Sequence, residues 1–184
     1  LLRAHRVPFR ALSAERAPGV AIPIRLTGEL AGLRVEARRR GGRGAVHEIL
    51  DCRLGVALLA WAPRLRAAGV RVVRHHSIYR PGARVAGSGR VSGHAHALAL
   101  DLMEIEFADG TRVDVLEGWE ARERGAEVCA SYDEGPASAK LRRLVCGAVE
   151  EDLFQVVLTP HHDRAHRNHV HLELRPGVDW SYVH

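Results

Sequence analysis

Apolar positions along the chain repeat with two different periods, and the change of period divides it into elements. Ile49, Leu50, Leu54, Leu58, Trp61 and Leu65 fall at spacings of one, three and four, which makes one apolar face of a helix over 48–68. Gly69 supplies a stop, and Pro63 is expected to kink or end the helix early. "VRVVR" then reads as a strand, and 97–105 as a second. "ADG", 108–110, is a turn into "TRVDVLE", 111–117, so a hairpin is expected there. A polar excursion over 118–136 precedes a helix over 138–151, with Ser138 as its N-cap. "LFQVVLT", 153–159, and "HVHLEL", 169–174, are strands around a histidine-rich loop. Residues 1–47 are irregular, with "GVAIPIRL" and "LRVEAR" as short edge strands.

Strands and helices segregate instead of alternating. This predicts a single α+β domain, a small antiparallel sheet with helices packed against it. Residues 1–44 are expected to pack on or flank a domain spanning 45–184.

Composition changes this picture little. A chain of 184 residues suits one domain, and no apolar run approaches the roughly 20 residues of a membrane span. The net charge of +5 comes almost wholly from arginine, with Lys140 the single lysine. "ARRRGGRG", 37–44, is the one dense basic cluster, and its glycines favour a solvated loop over a nucleic-acid face. Basicity also suits an anionic polymer such as a bacterial cell wall. Cys52, Cys129 and Cys146 form no C-x-x-C pair, which argues against a cysteine zinc site. Cys129 and Cys146 bracket a Gly/Pro/Ser segment; they either close it as a disulfide or stay reduced, and sequence does not choose.

Histidine carries the chemistry. Of 12 in the chain, two lie in 94–96 and five in "HHDRAHRNHVH", 161–171. His169 and His171 are two apart in a strand and share a face. His94 and Asp101 are seven apart; on one straight strand they would lie on opposite faces, roughly 23 Å apart. They meet only if His94 precedes the strand, in a turn that returns it to Asp101. Asp101 would then stand beside His171, and two imidazoles, one carboxylate and a water make a catalytic zinc shell. The competing reading pairs Asp101 with an arginine such as Arg80.

Ser92, His94, Ala99 and Asp101, in the pattern S-x-H-x-x-x-x-A-x-D, followed late by H-x-H, resemble the zinc peptidases of the lysostaphin, D-Ala-D-Ala carboxypeptidase and hedgehog group. Within that group "ILDCRLGVALLAWAPRL", "GVRVVRHHSIYR", "SGHAHALALDL" and "HHDRAHRNHVHLEL" resemble, in order, blocks of the bacterial extensin-like C-terminal domain over roughly 45–175. Ala97 departs from the group, which usually has glycine there.

The resemblance implies that His94, Asp101 and His171 bind Zn2+ and that His169 stands beside the metal as the acid–base group. His166, His96, Asp163, Glu173 and Arg80 become candidates for substrate contact or for supporting the ligands, and His75 and His76 for substrate contact. The implied activity is a zinc metallopeptidase acting on peptidoglycan peptides. Asn168 stands where the carboxypeptidase branch has glutamate, which favours an endopeptidase cutting a cross-link over a D,D-carboxypeptidase. A non-catalytic, zinc-bearing wall-binding domain is the alternative of a different class. A monomeric protein exported to the periplasm or beyond is the implied setting, with no nucleic-acid partner.

Overall fold

The computed structural model describes residues 1–38, 44–123 and 125–184. Its strands are β1 (Phe9–Ala11), β2 (Pro23–Leu26), β3 (Arg34–Ala37), β4 (Leu50–Asp51), β5 (Val70–His75), β6 (Ala99–Phe107), β7 (Arg112–Asp114), β8 (Val156–Leu158), β9 (Val170–Glu173) and β10 (Tyr182–Val183). Its helices are α1 (Gly44–His47), α2 (Cys52–Ala67), α3 (Val115–Gly118) and α4 (Pro136–Glu150). The architecture is α+β, as the segregated pattern predicts.

The larger sheet runs β10-β8-β9-β6-β5-β3, with β7 also paired to β6. It is antiparallel through its middle, but β3 pairs parallel with β5 and β10 parallel with β8. The sheet is therefore mixed at its edges, where sequence reading expects it antiparallel throughout. Partner direction depends on how distant segments return, and a strand's own residues do not encode that. The smaller sheet, β1-β2-β4, comes mostly from the first 26 residues.

Parity divides β6 between two environments. Leu100 and Leu102 join the core, as do Val170 and Leu172 opposite them on β9. Asp101 and His171 take the other parity and face one another across the same pair of strands. The register against β5 shifts between Arg74 and His75, which leaves Met103 as an extra residue. That bulge moves Ile105 and Phe107 to the core parity and puts Glu104 and Glu106 on the polar one. Arg74 reaches both, at 2.6 and 2.8 Å, and Glu36 on β3 at 3.1 Å.

Helix α2 buries Leu54, Leu58, Trp61 and Leu65 of the stripe read from sequence, but starts at Cys52, so Ile49 and Leu50 fall before it, Leu50 in β4. Asp51 caps it by accepting from the Arg53 amide at 2.9 Å. The helix runs past Pro63 to Ala67 because its last turn is anchored by Leu65, which is fully buried; that burial outweighs one lost backbone hydrogen bond. Trp61 joins α2 to α4, donating from Nε1 to the Leu144 carbonyl at 3.2 Å and meeting Phe154 edge-on. Helix α4 starts two residues before Ser138, with Pro136 in its first turn and Gly135 as N-cap. Ser138 is instead buried and donates to Glu134, part of a cluster in which Arg142 also bonds Glu134 and the Val128 carbonyl. The hairpin strand β7 stops at Asp114, whose side chain caps α3 by accepting from Leu116.

Cys129 and Cys146 are bonded, with Cα atoms 5.5 Å apart, and tie the 119–135 excursion to α4; Cys52 is free. No helix among the described residues is long and apolar enough to cross a membrane. The arginine run at 37–44 falls mostly outside the described residues.

Candidate metal centre

His94 precedes β6 in a 3-10 turn, Gly93–His96, whose start is capped by Ser92 Oγ accepting from the His94 amide at 3.3 Å. The turn closes at Ala97, which sits at φ 53, in the left-handed region. The chain then enters β6 with Asp101 brought back beside His94, which resolves their seven-residue separation. Gly93 is needed for close approach: a Cβ there would lie 2.5 Å from Glu173 Cδ.

Three ligand atoms converge. His94 Nε2 is 2.9 Å from Asp101 Oδ1, His171 Nδ1 is 3.1 Å from the same oxygen, and the two nitrogens are 3.2 Å apart. All three residues are buried. The far nitrogen of each imidazole is fixed. His94 Nδ1 donates to the Ile78 carbonyl at 2.8 Å, and His171 Nε2 donates to Glu173 Oε2 at 3.1 Å. Those acceptors hold no proton of their own, so in the neutral rings the lone pairs of His94 Nε2 and His171 Nδ1 both face Asp101 Oδ1. Three electron-rich atoms at such distances call for a cation among them. The group His94, Asp101 and His171 can hold a metal ion.

Without a metal, a proton fills the role. Burial opposes charge on His171, but its bonds to Asp101 and Glu173 outweigh this and raise its pKa to about 9. Burial likewise disfavours charge on Asp101, yet its close contacts with the imidazoles of His171 and His94 hold it well below the usual carboxylate range. His94 is pushed down by burial. Ser77, buried just beyond β5, donates to Asp101 Oδ2 at 3.1 Å.

The family model for the extensin-like protein C-terminus matches residues 33–182. The chain belongs to that family. The match takes in β3 and reaches the first residue of β10, beyond the 45–175 span of the motif blocks. Neither a search of curated proteins nor one of solved structures returned a significant match.

The extensin-like domain gathers some of the sequence candidates and separates others. His169 joins the trio's rim, with Nε2 3.5 Å from Asp101 Oδ1 and Nδ1 donating to Asn168 Oδ1 at 3.0 Å. Burial lowers its pKa to about 4, so the ring is neutral at pH 7 with Nε2 open. Glu173 supports His171, and Arg175 in turn holds Glu173 at 2.7 Å. Arg80 stands 3.8 Å from Asp101 Oδ2, so the arginine pairing and the metal-competent trio coexist on one carboxylate. His166 packs between His169 and His171, ring centres 5.1 and 6.0 Å away.

Three further candidates make their contacts away from the trio's ligand atoms. His96 lies two residues past His94 in a turn of three residues per turn, so its ring leaves in another direction; it is exposed and bonds the Gly19 carbonyl at 2.7 Å. Asp163 holds no ligand imidazole; it bonds His166 Nδ1 at 2.7 Å and caps its own loop. His75 is buried in β5 opposite Leu102, with burial lowering its pKa to about 4. Sequence reading missed Ser77 and the Ile78 carbonyl. The only signal was a polar residue between the histidine pair and "IYR", and a backbone acceptor leaves no signal at all.

Proposed function

We propose that the domain is a zinc-dependent peptidase acting on peptidoglycan peptides, an endopeptidase that cuts amide bonds in cross-links, working outside the cytoplasm. The observation that carries the reading is the unshared Nε2 of His169 beside a trio that already has three protein ligands. A domain that only binds a wall needs no neutral base at that place. Two imidazoles and a carboxylate form the donor set of a catalytic zinc.

A zinc ion in that place supplies Lewis acidity, polarising the scissile carbonyl and making water acidic enough to react at neutral pH. The chain supplies the rest. His94, Asp101 and His171 would hold the ion, and the Ile78 carbonyl and Glu173 fix the two rings. Asn168 sets the tautomer of His169 by taking the Nδ1 proton, which leaves Nε2 to accept a proton from water and to return it to the leaving amine. Ser77 donates to Asp101 Oδ2 and Arg80 stands 3.8 Å from it, which leaves Oδ1 as the oxygen that would meet the metal. The disulfide supports export, because such bonds persist in oxidising compartments.

The test compares two variants by zinc content and by turnover of cross-linked wall peptides. His169→Ala should keep zinc and lose about 10²–10⁴-fold in turnover. His171→Ala should lose the metal itself. Full turnover in His169→Ala would assign the base elsewhere. Wild-type protein that holds zinc and cuts no wall peptide would favour the wall-binding reading.

A further inference from the structure

The loop between β8 and β9 carries a second group. His162, Asp163 and His166 each bring a ligand atom to within 4.8 Å of the others, at the protein surface. Asp163 Oδ1 is committed locally: it accepts from the Ala165 amide at 2.8 Å, the His166 amide at 3.0 Å and His166 Nδ1 at 2.7 Å. Oδ2 faces His162 Nε2 at 3.8 Å, too long for a hydrogen bond. The two imidazoles meet edge-on, 5.4 Å between centres, and His184 stands 6.1 Å from His162 on the far side. The bond from His166 Nδ1 to Asp163 Oδ1 thus leaves Asp163 Oδ2, His162 Nε2 and His166 Nε2 without a hydrogen bond inside the group.

We propose that this rim is a second site, weaker than the trio, for a late first-row divalent cation such as Zn2+ or Co2+, held by His162, Asp163 and His166. Two imidazoles and one carboxylate select such ions over Mg2+ or Ca2+, which prefer all-oxygen shells. Weaker binding follows from the setting. The residues lie on a solvent-facing loop, and the carboxylate is shared with the loop's own amides. The position matters as much as the affinity. His166 is the member of this group nearest the trio, 5.1 Å from His169 and 6.0 Å from His171 between ring centres. A cation here would sit one imidazole away from the buried centre. The proposal stands on the loop geometry and not on the hydrolytic reading.

The test is metal uptake by the untagged full chain, titrated with Zn2+ and separately with Co2+ near pH 7.5. The wild type should take about two equivalents in two steps, tight then weak, as sites of unequal donor preorganisation do. The double variant His162→Gln/Asp163→Asn should lose the weak step and keep the tight one. Asparagine retains the Oδ1 that caps Ala165 and His166, so the turn persists. His171→Ala should lose the tight step and keep the weak one. A wild type that saturates at one equivalent overturns the proposal. So does a double variant whose weak step is unchanged, since the second ion would then be scattered over other surface histidines.

Discussion

The trio His94–Asp101–His171 and the loop group His162–Asp163–His166 use the same side chains, two imidazoles and one carboxylate, and are built on opposite plans. The loop group comes from five consecutive residues and is held by one turn. The trio joins a 3-10 turn, the first part of β6 and the facing residue of β9, up to 77 residues apart in sequence. Assembly from distant elements lets each trio side chain be gripped from behind: Ile78 and Glu173 hold the two rings, and Ser77 holds the carboxylate. In the loop, the aspartate that would complete the site already serves the backbone. Preorganisation therefore comes from the supporting partners, since the ligand types are shared.

The largest measurable contrast should be in pH dependence. In the metal-free trio the proton on His171 occupies the place a cation would take, with its pKa raised from 6.5 to about 9. Loading the trio must expel that proton. Apparent affinity for the tight ion should rise about tenfold per pH unit between 6.5 and 9 and flatten above. Chelator-competition titrations across that range check this, and a flat profile would mean that His171 is neutral without metal. Stability of the metal-free protein should run the other way. The raised pKa of His171 adds stability that is full below pH 6.5 and is lost as pH climbs through about 9. His75, held neutral with a pKa near 4, adds a loss on the acid side, because only the unfolded chain takes its proton as pH falls from 6.5 toward 4. Thermal melts of metal-free protein should therefore peak near pH 6.5.

A smaller effect isolates the grip on one ring. Glu173→Gln removes the charge behind His171 Nε2 but keeps a hydrogen-bonding side chain of the same length. Tight-site affinity should fall about 10–100-fold, moving the trio toward the behaviour of the loop. The pH profile of loading should also shift toward neutrality, which separates a lost charge from a general loosening.

The smallest change is expected at Ala97. Its left-handed backbone costs an alanine about 1 kcal/mol or more. Its methyl is fully buried, which returns about 0.8 kcal/mol. Ala97→Gly should therefore alter stability by less than about 1 kcal/mol and leave metal content unchanged, as a denaturant midpoint would show.

Features set by short-range periodicity were legible. The α2 stripe, the shared face of His169 and His171, and the need for a turn before Asp101 all follow from counting residues. Features that depend on a partner were not. Nothing in "TRVDVLE" says that β6 offers only three residues to β7 before Asp114 finds the Leu116 amide to cap. Ser138 has the composition of an N-cap, but Pro136 starts the helix earlier and Glu134 claims the hydroxyl. The parallel edges β3 and β10, and the bulge at Met103 that reverses the parity of β6, belong to pairing between strands. Of the two carboxylates offered as supports for the ligands, Glu173 shares strand parity with His169 and His171, while the loop's own amides take Asp163.

The N-terminal segment also bears on where this domain begins. His94, Asp101, His169 and His171 all lie within the family-matched span, but the outer wall of the turn that carries His94 does not. Gly19 receives His96, Pro18 receives the Tyr79 hydroxyl, and Ile22 exchanges hydrogen bonds with Asp51 and Cys52 at the start of α2. The Asp51 amide in turn reaches the Ala97 carbonyl. The first 26 residues act as a strap buckled across the back of the site. A protein trimmed to the matched residues would keep every ligand in its sequence and lose the strap that fixes one of them in space.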